Sequence, residues 1–301
     1  MPDVARRRVG MIAGWGRFPV LVAQALKEAG FDVHCVGIKD HADPVLATVC
    51  SSFEWAGVAR LGRVIRFFQR HGVSDVTMAG KIQKDRLLNR WAWIRHWPDW
   101  RTTKRFCRNF LFKTKDLKDD TLLLSVVAEL ESSGLNVEAA TNFAPELLVK
   151  LRQLSRRAPT VVERNDITFG WNVAKELGRF DIGQSVAIKG QTAIAVEGIE
   201  GTDRCIERAG ALCRAGNFTV VKVAKPKQDM RFDVPTVGLG TLQTMLDAGA
   251  SCLAIEAGRT IVLDEMEVVE FADQHNIAIV SLDAQGSFPA SASPAVEPAA
   301  R

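Results

Sequence analysis

Residues 8–38 have the sequence RVGMIAGWGRFPVLVAQALKEAGFDVHCVGI, and the order of segments within it indicates the fold class. The apolar start, Arg8–Ala13, predicts a short buried strand, and the glycines of Gly14-Trp-Gly16 predict a turn. Helical periodicity then runs over Phe18–Ala29 and ends at a glycine, which is typical of a helix C-terminus. Phe31–Ile38 predicts a second strand.

The same alternation continues beyond this stretch. Val58–Arg70 is amphipathic with a helical period, and Val73–Ala79 predicts a third strand that ends at Gly80. A β-α-β-α-β order argues for a parallel sheet covered by helices, so we predict an α/β fold with an N-terminal Rossmann-like domain. Asp119–Glu131 predicts a further helix.

The character of the sequence changes after this domain. Residues 141–165 are loop-like and partly basic, with Pro159 as a helix breaker, and helices and strands alternate again beyond them. Gly190-Gln191 separates two short apolar runs and predicts a hairpin in this second α/β domain. The predicted organisation is a Rossmann-like nucleotide-binding domain, a linker, a catalytic α/β domain and a disordered tail, at 1–140, 141–165, 166–286 and 287–301.

Composition excludes several classes of protein. The chain has 301 residues with 39 Lys and Arg against 35 Asp and Glu, and the resulting charge of +4 does not indicate a nucleic-acid partner. No apolar run reaches the roughly 18–20 residues that span a membrane. The basic start, Met1–Arg8, is followed by only five apolar residues, which is too short for a signal peptide, so we expect a cytoplasmic protein.

The distribution of cysteine and histidine limits the chemistry. The six cysteines form no Cys-x-x-Cys pair, and the five histidines are scattered. Neither a zinc site nor a histidine-based catalytic triad is therefore supported, and catalysis would depend on carboxylates, lysine or arginine.

The turn that contains Gly14 and Gly16 lies where a predicted strand meets a helix. Glycines allow the backbone to approach a phosphate, and the amides of a helix N-terminus favour an anion. The spacing differs from the dinucleotide fingerprint. A ligand-binding loop and a tight structural turn are both open interpretations. Lys81 follows the third strand, where open α/β sheets place ligand contacts, although an exposed lysine is the simpler interpretation.

Residues 225–238 carry the richest set of polar groups. Pro226 and Pro235 disfavour a helix, and in an extended chain Asp229, Arg231 and Asp233 would point to one side. Two carboxylates with a guanidinium between them suit a hard cation and a phosphate. A solvated charged loop is the alternative. Elsewhere, Thr202 or Asp203 could simply cap the helix that follows.

Taken together, these motifs resemble the two-domain bacterial UDP-2,3-diacylglucosamine diphosphatases of lipid A biosynthesis, which are unrelated to the metallophosphoesterases of the same step. The matching segments occur in family order over about residues 9–283, and the last two are the most specific. They are Gly10-x-Ile-Ala-Gly14-x-Gly16-x-x-Pro19, Ala79-Gly-Lys81, Asp119-Asp-x-Leu-Leu123, Asp181-Ile-Gly-Gln184, Ala195-Val-Glu-Gly-x-Glu-Gly-Thr-Asp203 and Lys225-Pro-x-Gln228-x-x-Arg231-x-Asp233-x-Pro-Thr-x-Gly238.

The resemblance implies hydrolysis of UDP-2,3-diacylglucosamine to UMP and 2,3-diacylglucosamine 1-phosphate with Mg²⁺ or another divalent cation, in a ligand cleft between the two domains. It implies that Asp233 is catalytic. The predicted metal ligands are Asp233 and Asp229, and Asp229, which lies outside the matching motif, is predicted only from the face that it would share with Asp233. Trp15 and Lys118 depart from the usual family residues. The implied substrate-binding residues are Ala13, Gly14, Gly16, Gly80, Lys81, Asp120, Gln184, Thr202, Asp203, Lys225, Gln228, Arg231, Thr236 and Gly238.

Two other functions stay open on the sequence alone. A nicotinamide-dependent oxidoreductase would explain the Rossmann-like half, although the dinucleotide fingerprint is missing. A non-catalytic protein that binds a sugar nucleotide or a lipid would keep the fold, although Arg231 and Asp233 are intact. The sequence leaves the oligomeric state open, a homo-oligomer included.

A tryptophan-rich segment suggests a membrane partner. Four of the seven tryptophans lie between residues 91 and 100 among basic residues, and Trp93, Trp97 and Trp100 have helical spacing despite Pro98. Tryptophan favours the lipid–water boundary. We expect this segment to dock the protein peripherally on the cytoplasmic face of the inner membrane, and packing within the N-terminal domain is the alternative.

Overall fold

The computed structural model describes residues 7–82 and 119–290, and they form two units. The first contains the described residues up to Glu146 together with Met230–Phe232, and the second contains Leu147–Asp229 and the described residues from Asp233 onwards. The predicted linker, 141–165, is thus divided between the two units. Its second half is tied into the second unit, since Gln153 bridges Val280.

The first unit contains a five-stranded sheet in the order β3-β2-β1-β4-β5, and every neighbouring pair is parallel. This is the strand order of a doubly wound sheet, and it confirms the predicted parallel α/β fold. The strand β3 was not predicted. The strands are β1 (Arg8–Ala13), β2 (Asp32–Ile38), β3 (Ser52–Ala56), β4 (Asp75–Ala79) and β5 (Asn136–Val137).

Helices of the first unit cover this sheet through their apolar faces. Val64, Ile65 and Phe68 of α3 are buried in the core, as their spacing of one and three residues requires. The described helices are α1 (Phe18–Glu28), α2 (Leu46–Val49), α3 (Leu61–Arg70), α4 (Asp119–Ser132) and α5 (Ala140–Phe143), followed by a 3₁₀ turn at Pro145–Leu147.

The second unit contains a mixed sheet in the order β12-β10-β8-β6-β7, in which only β6 runs antiparallel to its two neighbours. A separate parallel pair joins β9 to β11. The predicted hairpin is confirmed, since Gly190 and Gln191 both have positive φ between β6 and β7. The strands are β6 (Ser185–Lys189), β7 (Thr192–Val196), β8 (Phe218–Lys222), β9 (Thr236–Val237), β10 (Ala250–Glu256), β11 (Ile261–Val262) and β12 (Ala278–Leu282).

The first helix of this unit begins at Val161, within the predicted linker, 141–165. Thr160 and Glu163 form a capping box: Thr160 Oγ1 accepts the Glu163 N–H over 3.2 Å, and Glu163 Oε2 accepts the Thr160 N–H over 2.8 Å. The helices are α6 (Val161–Arg179), α7 (Thr202–Leu212), α8 (Leu239–Ala248) and α9 (Glu265–Gln274).

The predicted disordered tail begins at residue 287, but its first residues pack against the second unit. The ring of Phe288 contacts the core beneath α6, and the Arg164 guanidinium lies 4.5 Å from the ring centroid. Residues beyond 290 lie outside the described part of the chain. The tryptophan-rich segment at 91–100 also lies outside it.

No helix within residues 7–82 and 119–290 is both long enough and apolar enough to cross a membrane.

Candidate functional site

The glycine turn lies at the carboxyl ends of two adjacent strands of the first unit. Ala13 of β1 pairs with Ala79 of β4, and the Gly14 N–H donates to Ala79 O over 2.8 Å. Trp15 and Lys81 then exchange two backbone hydrogen bonds of 2.8 and 3.0 Å. Strand order reverses between β1 and β4, and open α/β sheets bind ligands at such a switch point.

Gly14, Gly16 and Gly80 differ in what would surround a Cβ atom at each position. A Cβ on Gly14 would lie 2.7 Å from Lys81 O, and one on Gly80 would lie 2.7 Å from Pro19 Cγ, so both are needed for the close approach of the two segments. Gly16 has φ of +108°, and apart from its chain neighbours no atom of the described residues lies within 4 Å of the position of its Cβ. Packing therefore explains Gly14 and Gly80, whereas no described residue packs against the Cβ position of Gly16.

The carboxyl edge of the large sheet in the second unit carries a buried polar network. Lys222 ends β8 and is only 6% exposed, and its Nζ donates to Thr202 Oγ1 over 2.9 Å. Thr202 Oγ1 donates to Glu197 Oε1 over 3.1 Å and lies 3.2 Å from Ser185 Oγ. The network thus joins the ends of three strands to the first residue of α7.

Gln184 is tied to this network through its backbone. Its N–H donates to Glu197 Oε2 over 3.2 Å, and its carbonyl accepts the Val223 N–H. Its side-chain Oε1 is buried without a hydrogen-bond partner among the described residues. A buried acceptor of this kind is costly unless a donor reaches it, so this side chain is a candidate ligand contact.

The capping interpretation of Thr202 and Asp203 is wrong, because Gly201 is the N-cap of α7 and no side chain caps this end. The φ of Gly201, +84°, suits glycine, and Thr202 instead serves the buried network. Asp203 is exposed and accepts a hydrogen bond from Thr241 Oγ1 over 3.0 Å. Burial raises the pKa of the Cys205 thiol on the same helix to about 11, so Cys205 is not a thiolate nucleophile near neutral pH.

The loop after β8 brings together three of the predicted residues. Gln228 Oε1 accepts the Lys225 N–H over 2.8 Å, and Gln228 Nε2 donates to Asp233 Oδ2 over 2.7 Å. Lys225 Nζ lies 2.7 Å from Asp181 Oδ1. The predicted catalytic carboxylate is therefore oriented by an amide whose own position is fixed by the start of the loop.

This loop is not extended, so the prediction of an extended segment over Asp229, Arg231 and Asp233 is wrong. The Asp233 N–H donates to Asp229 O over 3.0 Å, which closes a turn of five residues, 229–233. Arg231 groups with the first unit, where its Nη1 lies 3.3 Å from Glu131 Oε1. Pro226 and Pro235 restrict the backbone conformation at the two ends of the loop but not that of the residues between them.

The turn keeps Asp229 and Asp233 close in sequence and space, which bears on the predicted metal. No group of three or more His, Cys, Asp or Glu side chains with metal-binding geometry occurs in the described residues. Mg²⁺ commonly takes one or two protein carboxylates and completes its shell with water and phosphate oxygens. Asp229 and Asp233 match this number of carboxylates, and the metal itself stays a prediction.

Three other predicted residues have simpler surroundings. Asp120 is the second residue of α4, and its side chain lies outside the described atoms. Thr236 lies in β9 and its Oγ1 donates to Val234 O over 2.9 Å. Gly238 is the N-cap of α8 with an extended backbone, so its conformation does not require glycine.

Four charged residues at this edge of the sheet were not among the predicted site residues: Lys222, Glu197, Lys175 and Glu256. Lys222 and Glu256 had one detectable signal, since each is a charged residue at the carboxyl end of a buried apolar strand. Lys175 had none, because it lies on a helix far away in sequence and reaches this edge only through the packing of α6.

Two family models and a curated relative match the sequence of this chain. A model of the LpxI N-terminal domain matches residues 8–147, and a model of the LpxI C-terminal domain matches residues 151–280. A curated protein of Caulobacter vibrioides named UDP-2,3-diacylglucosamine pyrophosphatase LpxI is 30% identical over 286 residues, which cover 93% of this chain and 99% of the relative. The chain belongs to the LpxI family.

The two LpxI domain models meet where the structure divides, since the units change at Glu146 and Leu147. The loop with Asp233 and the network around Lys222 both fall within the LpxI C-terminal domain. The relative's name describes a pyrophosphatase, so membership of the LpxI family does not favour the nicotinamide-dependent alternative.

Proposed function

We propose that this protein hydrolyses the pyrophosphate bond of UDP-2,3-diacylglucosamine to UMP and 2,3-diacylglucosamine 1-phosphate (lipid X) in lipid A biosynthesis. The observation that carries the proposal is an alignment to a relative named for this substrate, which is 30% identical and covers 93% of this chain. The Gln228–Asp233 hydrogen bond supports it, because it fixes a carboxylate beside Lys225 at the carboxyl edge of a sheet.

The chemistry requires water to attack one phosphorus while the bond from that phosphorus to the bridging oxygen breaks. The bridging oxygen keeps the electron pair, and water loses a proton. The two phosphates carry negative charge that repels the nucleophile, so cations beside them lower the barrier. Bound Mg²⁺ would supply Lewis-acid stabilisation of this charge. Asp229 and Asp233 are the residues that would hold it.

The other residues bind and orient in this proposal. Lys225 offsets phosphate charge, and Asp233 either ligates the cation or orients the water. Lys81 and the open face of Gly16 would contact the nucleotide or its phosphates at the β1–β4 switch point. The buried network of Lys222, Thr202 and Glu197 would hold Gln184 for a polar contact with substrate.

A diacylated substrate resides in a bilayer, so we also propose peripheral membrane association through the segment at 91–100. The support is compositional, from four tryptophans among basic residues. Co-sedimentation with anionic vesicles tests it. Trp93→Ala with Trp97→Ala should weaken binding while the far-ultraviolet circular dichroism is preserved, and unchanged binding of that double variant would return the segment to a packing role.

Incubation of the full chain with UDP-2,3-diacylglucosamine and Mg²⁺, followed by mass analysis, tests the reaction. UMP and the acylated sugar phosphate should appear together, and H₂¹⁸O shows which phosphorus is attacked. Omission of Mg²⁺ with added chelator tests the metal. Tight binding without product would instead support the non-catalytic alternative, and binding of NAD would support the oxidoreductase.

A further inference from the structure

A buried ion pair lies at the carboxyl edge of the large sheet in the second unit. Glu256 is the last residue of β10 and is 2% exposed, and its Oε2 lies 2.6 Å from Nζ of Lys175 on α6. The ring centroid of Trp171 lies 5.4 Å from the same ammonium. Desolvation makes such pairs costly, and apolar residues can often replace them without loss of stability. A contribution to folding stability therefore does not by itself explain why this ion pair is present.

Both members of the pair hold the backbone of one residue. Glu256 Oε2 accepts the Ala224 N–H over 2.8 Å, and Lys175 Nζ donates to Ala224 O over 3.2 Å. Ala224 lies two residues after the end of β8. Apolar side chains of the same volume could not supply this donor and this acceptor, and a buried peptide group without partners is destabilising.

From Ala224 the contacts continue to the carboxylate of Asp233. Lys225 is the next residue, and its N–H donates to Gln228 Oε1 over 2.8 Å. Gln228 Nε2 donates to Asp233 Oδ2 over 2.7 Å, and the Asp233 N–H donates to Asp229 O over 3.0 Å. An unbroken series of contacts thus runs from the rigid sheet edge to the carboxylate.

We propose that Lys175 and Glu256 are positioning residues for Asp233, which act by fixing Ala224 and, through it, Lys225 and Gln228. The proposal rests on the proposed function. Neither side chain needs to touch substrate. Reacting groups must be held closely, because a displacement of about 1 Å can cost roughly 100-fold in rate.

A matched control exists at the other end of the same sheet. Arg157 and Glu163 form a second largely buried pair, joined by a 2.8 Å contact, and Arg157 also reaches Ser251 O near the start of β10. Glu163→Met therefore perturbs a largely buried pair of the same kind at the edge remote from Ala224. Glu256→Met is its counterpart, since methionine cannot accept the Ala224 N–H.

The experiment compares Tm, kcat and KM for wild type, Glu256→Met, Lys175→Met and Glu163→Met. All three variants should lose thermal stability. Only Glu256→Met and Lys175→Met should lose kcat, by roughly 10- to 100-fold with KM changed less than threefold, and Lys175→Arg should recover part of the kcat that Lys175→Met loses. A Glu256→Met variant that loses Tm but keeps kcat within twofold of wild type would overturn the proposal.

A double-mutant cycle covers the case in which Lys175→Met does not fold. If Glu256 acts through Gln228, the losses of kcat in Glu256→Met and Gln228→Met should not add in the combined variant, because both break the same series of contacts. Additive losses would overturn the proposed route. Wild-type turnover is measured first: an inactive wild type overturns the proposed function and this inference with it, whereas an active wild type with an unaffected Glu256→Met overturns only the inference.

Discussion

The side-chain amide of Gln228 donates a hydrogen bond to Asp233 Oδ2 over 2.7 Å. The same amide accepts the Lys225 N–H through Oε1, so its orientation is set and its nitrogen must face the carboxylate. Gln228 was predicted to contact substrate. That contact stays a prediction, and the observed hydrogen bonds show that Gln228 orients Asp233.

Replacement of Gln228 by methionine tests this orientation. Methionine keeps a similar length but can neither donate to Asp233 nor accept from Lys225, so kcat should fall roughly 10-fold or more. Because the residue is half-buried in a loop, Tm should change little. A matched variant, Gln243→Met on the exposed face of α8, should leave kcat and KM unchanged. A rise in KM alone for Gln228→Met would favour the original prediction of a substrate contact.

Asp233 and Asp229 are expected to differ in their effect on turnover. Asp233→Ala should reduce kcat by about 10²–10⁴-fold while substrate still binds. The loss of a metal-ligating or water-orienting carboxylate raises the activation barrier more than it weakens the binding of a large substrate. Asp229→Ala should be milder, since its backbone carbonyl, which the variant keeps, already accepts the Asp233 N–H. Steady-state kinetics and equilibrium substrate binding measure the two effects separately.

Asp233→Asn sharpens this prediction because it retains the shape of the side chain. Asparagine can still accept from Gln228 Nε2 through its carbonyl oxygen, so the loop should remain intact while the negative charge is lost. A rate above about a tenth of wild type in Asp233→Asn would contradict the catalytic role.

Local patterns in the sequence were sufficient to predict most of the fold. The apolar run of β1, the periodicity of α3 and the turn at Gly190-Gln191 each specify their element within a few residues, and the order of elements implies a parallel sheet. The strand β3 was missed because Ser52–Ala56 is only five residues long. Its polar and apolar residues alternate over Ser52–Trp55, which is at the lower limit of the length that predicts a strand.

The site was less predictable because its contacts join distant segments. The Lys175–Glu256 pair spans 81 positions, and the Lys222–Thr202 contact spans 20. Neither contact can be predicted from the helical or strand periodicity of a single segment. The shape of the loop at 225–235 depends on the bond from Asp233 N–H to Asp229 O, which the flanking prolines do not specify. Resemblance of motifs placed Asp233, but only the structure shows what orients it.

The glycine turn gives a prediction in which stability and binding separate. In Gly14→Ala the new Cβ would meet a backbone oxygen at 2.7 Å, so the variant should lose about 1–3 kcal/mol of stability. In Gly16→Ala the Cβ enters open space, at a cost of about 1–2 kcal/mol for its positive φ. If ligand occupies that space, Gly16→Ala should also raise KM.

Thermal unfolding and steady-state kinetics on both glycine variants give the comparison. The expected pattern is a lower Tm in each and a raised KM only in Gly16→Ala. Equal KM values for wild type and Gly16→Ala would leave the turn with a structural role alone. Valine at position 16 is a poorer test, because a β-branched residue at φ of +108° adds strain of its own.

His34 gives a prediction for the dependence of stability on pH. It lies in β2 and is 9% exposed; its Nδ1 contacts Ser52 Oγ over 2.7 Å, and its ring centroid is 4.8 Å from that of His71. Burial lowers the pKa of His34 below its ordinary value, His71 and Arg8 lower it further, and Asp32 opposes them. In the unfolded chain the same imidazole binds a proton near pH 6.5.

The sign of the effect follows from which state binds more protons. At a pH between the lowered pKa of folded His34 and the pKa of His34 in the unfolded chain, the unfolded chain binds more protons. The free energy of unfolding therefore rises with pH across this window, and this stabilisation is lost as the pH falls below about 6.5. Thermal unfolding from pH 7.5 to 5 measures it. His34→Gln should flatten this part of the profile, whereas His275→Gln, at an exposed position after α9, should not. Parallel profiles for wild type and His34→Gln would show that protonation of His34 does not contribute to the loss of stability.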